Sequence, residues 1–497
     1  MPEEQGVTDA SELDVTSFID GQRIGTSAFV FLLIATSAMV TDGFDIAAMG
    51  FVVPELAKQW HVAPAAFVPA LSAGVFGLLC GAPLFGYLGD RYGRRTAILG
   101  SLAGVGMFSL ATTAANSLNE LAVLRFITGV ALGGLIPNII ALAAEVAPKR
   151  LRGVFIIIVN FGLPAGFAVP GWVAALLVPH YGWTSIMLVG GLLPLLVAGL
   201  ACVLLPESIA FLIRRGGRDG EVRRLLRAMR PDLPIDDATP FEAHEGDRTS
   251  HRPSSPAQLF SGGLAFLTPI FWVAYAANQF SNFFTLSWLP TLLQSSGLNT
   301  SDAGVTASMF SVGGLAGGIA LTLVIDRFGA LPMVFLFLVG APLVAAIGLA
   351  HLPPLVLGAV IAGAGFCVTG NNFGASAVVG MLYPTAIRSL GAGWAQAFGR
   401  LGSLAAQVIG GLLLARGVSM GEAYLAPALA LVVGAGASGI FNILCHRRFG
   451  GYRLDEPLVE AGGERVGDAG GTAGAAPNPP TIWRIKPAGQ TEPRGGR

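Results

Sequence analysis

The sequence predicts an all-α membrane protein, with twelve transmembrane helices in two six-helix halves and both termini cytoplasmic. Three observations carry this. Charged residues make up only 12% of the 497 positions against 53% hydrophobic, where soluble domains carry about 25% charge. Apolar stretches of about 20 residues, the length that crosses a bilayer, recur along the chain. Two separate motifs repeat at a single offset of 236 residues. So little charge cannot cover a soluble globule of this length, which excludes a soluble enzyme, a nucleic-acid binder and a disordered chain. Gly is 68 of 497, twice the usual ~7%, as suits helices whose backbones approach closely in a bilayer.

The elements follow in order. The tail 1–25 is polar and acidic (Glu3, Glu4, Asp9, Glu12, Asp14, Asp20). That flank is wrong for a secretory signal, so the first apolar stretch reads as a retained span. Spans are expected near 26–53, 66–88, 95–115, 119–145, 154–178 and 184–205, forming a first half over 26–205. A polar cytoplasmic linker, 206–262, precedes spans near 264–293, 302–325, 331–350, 354–382, 390–414 and 420–445, forming a second half over 263–446. Within the linker, Leu212, Leu225, Leu226 and Met229 recur among arginines. That pattern suits an amphipathic helix on the inner membrane face or a solvated basic connection. The region 447–497, rich in Gly, Ala and Pro, reads as a disordered cytoplasmic tail. Cys80, Cys202, Cys367 and Cys445 have no zinc or redox spacing and read as small apolar packing residues.

Lys and Arg orient the chain. With the N-terminus inside, the inner segments hold Arg23, the Arg91–Arg95 cluster, Lys149, Arg150 and Arg152, nine Arg between 214 and 252, Arg327, Arg388, and eight basic residues from Arg447 onward. The outer loops hold only Lys58 and Arg416. The net charge is zero, so bulk charge names no partner.

The repeat is read from Asp90-Arg91-Tyr92-Gly93 and Asp326-Arg327-Phe328-Gly329, and from Pro148 with Arg152 and Pro384 with Arg388, all offset by 236. Internal repeats of this kind are common in secondary transporters. Gly129 and Gly133, Gly162 and Gly166, and Gly313 and Gly317 read as helix-packing faces.

Gly86-Tyr87-Leu88-Gly89-Asp90-Arg91-Tyr92-Gly93-Arg94-Arg95 resembles the cytoplasmic loop signature of the major facilitator superfamily. Arg125 with Gly129 and Gly133, Glu145 with Pro148, Arg152 and Gly153, and Pro206-Glu207-Ser208 resemble further marks of that superfamily. Asp42-Gly43-Phe44-Asp45, Ser287-Trp288-Leu289-Pro290-Thr291 and Tyr383-Pro384-Thr385 narrow the resemblance to the aromatic acid:proton symporters. It covers about residues 25–445. It implies a carrier of benzoate, hydroxybenzoate, protocatechuate or vanillate-type acids, multi-pass in the bacterial cytoplasmic (inner) membrane and monomeric. The second loop, ending Gly329-Ala330-Leu331, lacks the two basic residues that close the first, so the two loops are not expected to gate alike.

The candidate chemistry is intramembrane charge. No GxxxxGK[ST] motif exists. Work against a gradient must therefore come from an ion gradient, with no cofactor and no enzymatic step. Asp42 and Asp45, at i and i+3, share a helix face and are the proton-coupling candidates. At 1.5 Å per residue Asp45 lies about 29 Å from the inner end of its span and Arg125 about 9 Å from the outer end of its own. In spans about 40 Å long the two share a depth, so Asp45–Arg125 or Asp42–Arg125 pairing is allowed; Arg125 could equally bind the anion. Arg400, about 15 Å into its span with Gln396 on the same face, is the favoured partner of a substrate carboxylate, since the planar guanidinium grips both oxygens. Tyr275, Asn278 and Asn282 in span seven, and Asn371 and Asn372 in span ten, are candidate polar anchors for an aromatic acid. Gly86, Asp90, Arg91, Gly93, Arg94, Glu145, Arg152, Asp326 and Arg388 are gating candidates at the inner face. Proton-coupled uptake is the first reading. A carrier of another organic anion or sugar, an exporter, and a non-transporting sensor are the alternatives; the sensor has no use for titrating groups in the membrane.

Overall fold

The structure, a computed structural model, describes residues 13–14, 25–215, 219–229, 241–242, 255–261, 264–349, 352–384 and 387–449. Most of the N-terminal tail, much of the linker and the C-terminal tail therefore lie outside the described residues. Every stretch expected to span is helical. The helices are α1 (Thr26–Trp60), α2 (Val68–Tyr92), α3 (Arg94–Thr112), α4 (Leu118–Leu132), α5 (Leu135–Val146), α6 (Arg152–Tyr181) and α7 (Thr184–Leu204). Two short linker helices follow, α8 (Ile209–Arg215) and α9 (Asp219–Met229). Then come α10 (Leu264–Ser295), α11 (Thr300–Phe328), α12 (Leu331–Leu349), α13 (Pro354–Val368), α14 (Asn371–Leu382), α15 (Arg388–Ala415), α16 (Met420–Ala423) and α17 (Leu425–Phe449). A two-residue parallel pairing joins Leu13–Asp14 to Phe241–Glu242.

Among the described residues, ten helical segments are long and apolar enough to cross a membrane. α3 and α10 fall short by composition, for different reasons. α3 opens on Arg94 and Arg95. α10 carries Asn278, Gln279, Ser281, Asn282, Thr285, Ser287 and Thr291, all of them buried. A helix can hold so many polar side chains in a bilayer only if its neighbours, and not lipid, surround it. α1 is likewise buried along most of its length, Asp42 and Asp45 included. Outer helices such as α7 instead expose large apolar side chains, Leu196 and Val203 among them.

The 236-residue repeat recurs in the backbone. α4 breaks after Leu132 and α5 resumes at Leu135; α13 breaks after Val368 and α14 resumes at Asn371. α2 ends at Tyr92 and α11 at Phe328, followed by Gly93 and Gly329 at positive φ. His61 and Gly297, also 236 apart, both turn left-handed, at φ 53° and 95°. Close approaches repeat too. A methyl at Gly81 would strike the Val130 carbonyl, and one at its counterpart Gly317 the Phe366 carbonyl. Gly162 and Gly166 press on the Thr36 and Val40 carbonyls of α1 in the same way. Small residues thus let helix backbones touch, as membrane packing favours.

Two expectations change in detail. The apolar face of the linker is used within it: Ile209, Phe211 and Leu212 of α8 pack on Val222 and Leu226 of α9. Met229's side chain lies outside the described residues. Of the four free cysteines, Cys367 and Cys445 are buried, but Cys80 and Cys202 are exposed on their helices and pack into no core.

Candidate transport site

α1, α3 and α4 bring one charged pair together at the centre of the first repeat. Asp45 is 6% exposed and Arg125 3%, so each depends on neighbouring protein groups for its hydrogen bonds. Arg125 Nη1 donates to Asp45 Oδ1 at 3.1 Å and Oδ2 at 3.3 Å, and its Nη2 donates to the hydroxyls of Thr112 (3.2 Å) and Thr128 (3.3 Å). Ser109 donates to Asp45 Oδ1 at 3.0 Å. Of the two pairings that depth allows, the structure holds Asp45–Arg125. Buried ion pairs persist when their remaining valences are largely bonded; Ser109, Thr112 and Thr128 bond most of them here, and Arg125 Nε is left without a partner among the described residues. Serines and threonines in apolar helices commonly bond back to their own helix, so sequence gives no sign of this role.

Asp42 differs. It is fully buried, and neither carboxylate oxygen has a hydrogen-bond partner. The charges that act on it are the Arg400 guanidinium and the Asp45 carboxylate. Arg400, half-buried on α15, makes no ion pair or hydrogen bond with any described residue. It lines a cavity with Asp45 and Arg125, whose wall is otherwise largely apolar: Met49, Leu71, Val75 and Phe283, with Ser287 and Gln407 as its other polar side chains.

The other named anchors stand off this wall. Asn278 donates to the Val368 carbonyl (3.2 Å) and to Asn372 Oδ1 (2.9 Å), while Asn282 Oδ1 accepts from Thr369 Oγ1 at 2.7 Å. The Asn278 amide meets a backbone carbonyl at the point where α13 gives way to α14, as a helix break inside a membrane requires, and Asn282 bonds a side-chain hydroxyl there. Asn371, 1% exposed, has neither amide atom bonded. Tyr275 donates to the exposed Gln396 at 3.2 Å, and neither lines the cavity.

The loop motif closes on α5 and the corner after α7. Arg94 pairs with Asp90 at 2.6 Å, reaches Glu145 at 3.9 Å and donates to Asn138 Oδ1 at 3.5 Å. Glu207 accepts from the backbone N–H of Arg95 and of Ser208, both at 3.0 Å, and Arg95 also donates to the Cys202 carbonyl. Arg91 donates to Tyr87 at 2.6 Å. Gly93 sits at φ 105°, a conformation glycine alone adopts freely, and any side chain there would strike Glu207. Gly86, by contrast, faces open space, and the crowded glycine is Gly89, against Asn138. Arg152 is exposed, with no ion pair to Glu145 among the described residues. In the second repeat Arg388 donates to the Tyr383 carbonyl at 3.3 Å and Arg327 lies over Phe328; the Asp326 side chain lies outside the described residues. Sequence reasoning missed Asn138 as a loop partner and Gln407 as a cavity residue.

At the far end the repeats are tied together. Lys58 donates to Gln294 Oε1 at 2.7 Å, and Glu55 accepts from Gln294 (3.1 Å) and Thr300 (2.7 Å). Lys58 and Gln294 are themselves 236 residues apart.

The family model described as Major Facilitator Superfamily matches residues 35–375. The chain belongs to the major facilitator superfamily. It is 35% identical over 410 residues to the gallate transporter of Pseudomonas putida, covering 82% of this chain and 90% of that protein. It is 33% identical to the 4-hydroxybenzoate transporter of the same organism, covering 86% and 96%. The benzoate transport protein of Acinetobacter baylyi is 27% identical, covering 85% and 91%. The inward open structure of the E. coli xylose transporter superposes with a TM-score of 0.63 over 87% of this chain and 98% of that one, at 16% identity, a likeness of fold alone. This superfamily member is thus a multi-pass membrane transporter, and its loop motif, buried pair and cavity are parts of a carrier.

Proposed function

We propose that the protein imports small aromatic carboxylates with protons across the bacterial cytoplasmic membrane, by alternating access and as a monomer. In this reading the chain crosses twelve times, in halves 26–205 and 263–446 joined by 206–262, with both termini cytoplasmic. The proton gradient is the energy source and no cofactor takes part. The observation that carries the proposal is Arg400: a cation with no hydrogen-bond or ion-pair partner among the described residues, on the wall of a largely apolar cavity and near a buried carboxylate that also lacks one. A ring acid satisfies both demands of such a wall, its anion on the guanidinium and its ring on Leu71, Val75 and Phe283. The gallate, 4-hydroxybenzoate and benzoate relatives support this substrate class.

Asp42 is the proton-coupling group in this reading. With Arg400 free, Asp42 has a cation to face; once a substrate carboxylate occupies Arg400, Asp42 has neither cation nor hydrogen-bond donor. A proton arriving with the substrate removes that conflict, so the two travel together. Asp45, neutralised by Arg125, is left to hold α1 on α4. With the termini inside, the Lys58–Glu55–Gln294 ties join the two halves at the outer end.

Accumulation of radiolabelled benzoate or 4-hydroxybenzoate in cells should collapse on adding a protonophore. Accumulation that survives the protonophore would refute proton coupling, and an absence of uptake across a panel of ring acids would refute the substrate class. Asp90, on the inner loop and far from the cavity, should act on conformational exchange. Asp90→Ala is expected to slow transport strongly while equilibrium affinity for the ring acid stays within a few-fold. A large loss of affinity at a normal exchange rate would assign Asp90 to binding instead.

A further inference from the structure

Gln407 follows Arg400 by seven residues on α15, two turns along the same face, a rise of about 10.5 Å. It is 2% exposed and lines the same cavity. Its Nε2 donates to Ser287 Oγ at 2.7 Å, from α10 opposite. Its Oε1 is buried without a partner. Among the cavity-lining residues only Arg125 Nε shares that condition, and the rest of that guanidinium is taken by Asp45, Thr112 and Thr128. A buried amide oxygen facing apolar side chains is unfavourable unless something donates to it. On the wall of a binding cavity that donor can come from the ligand.

We propose that Gln407 recognises a ring hydroxyl on the acid whose carboxylate Arg400 holds, so that the site prefers hydroxylated over unsubstituted ring acids. The proposal rests on the reading of Arg400 as the carboxylate site. A benzene ring with its hydroxyl opposite the carboxylate presents its two polar ends in opposite directions, as two polar side chains at separate heights on one cavity wall require. The chemistry holds for either orientation of the amide, because a phenol both donates and accepts. Ser287 fixes the amide, as a discriminating group requires. A site built to bond a hydroxyl rejects the analogue lacking it far more strongly than pocket shape alone can.

The test measures binding of benzoate and 4-hydroxybenzoate to the purified full-length protein. The wild type should prefer the hydroxylated acid by at least about tenfold, the worth of one well-made hydrogen bond. Gln407→Leu, similar in volume and without polar atoms, should bring that ratio close to one. Ser287→Ala, which frees the amide to rotate, should lower the ratio by a smaller factor; it decides the matter if Gln407→Leu does not fold. An undiminished ratio in the variants, or an equal loss for both acids, overturns the proposal and assigns Gln407 to packing. Equal binding of the two acids by the wild type overturns it alone and leaves the transport reading standing. A wild type that binds neither acid overturns both.

Discussion

Asp42→Asn is expected to abolish accumulation of aromatic acid against a gradient while leaving the carrier folded and able to exchange substrate. The substitution keeps the shape of a side chain that makes no hydrogen bond and removes only its capacity to carry a proton. In vesicles with an imposed pH gradient, uptake should fall to the equilibrated level, while counterflow of labelled against unlabelled acid persists. Gradient-driven accumulation by Asp42→Asn would sink the coupling assignment. Asp45→Asn should fail differently. It leaves Arg125 buried and uncompensated, a defect worth about 3–5 kcal/mol, so loss of folded protein from the membrane is the expected outcome. Measuring membrane abundance beside transport separates a lost proton carrier from a lost strut.

Arg400→Ala is expected to cost the carrier its substrate. Removing a buried charge-assisted partner costs about 2–5 kcal/mol, a loss of roughly 30-fold to several thousand-fold in affinity. Arg400→Lys keeps the charge but not the planar fork and should also bind poorly. Because no described residue bonds Arg400, its loss should cost little stability. Arg125→Ala should instead unbalance Asp45 and destabilise the fold. A direct binding assay on purified protein decides: normal benzoate or 4-hydroxybenzoate affinity in Arg400→Ala would move the anion site elsewhere.

The helices were legible because a bilayer demands long apolar runs and leaves little freedom in how they are read. The Asp45–Arg125 pair was within reach for the same reason, since helix rise converts residue number into depth. The break between Leu132 and Leu135 was not. Gly133 and Gly134 lie there in ordinary right-handed conformations, and a glycine that ends a helix looks in sequence like one that packs it. That ambiguity carried into the site. Asn278 and Asn282 read as substrate anchors, and in the structure both bond residues at the break in the second repeat. Gln407 was missed because an amide on a helix declares nothing until the cavity beside it is known.

Lys58 and Gln294 occupy one position in two copies of a repeat, and they touch. Contacts on a two-fold axis of identical units bring a residue against itself. Two first halves assembled alone would set Lys58 against Lys58, and two second halves Gln294 against Gln294. The first meeting is repulsive, and the second lacks a charge. Deeper in the bundle the copies differ again, with Asp42 at the position that Asn278 holds in the other. Only a pairing of unlike halves gives each side what it lacks. If the chain were cut in its 206–262 stretch and the pieces co-produced, they should reassemble as one of each and discriminate against like pairs, although the two pieces share a fold.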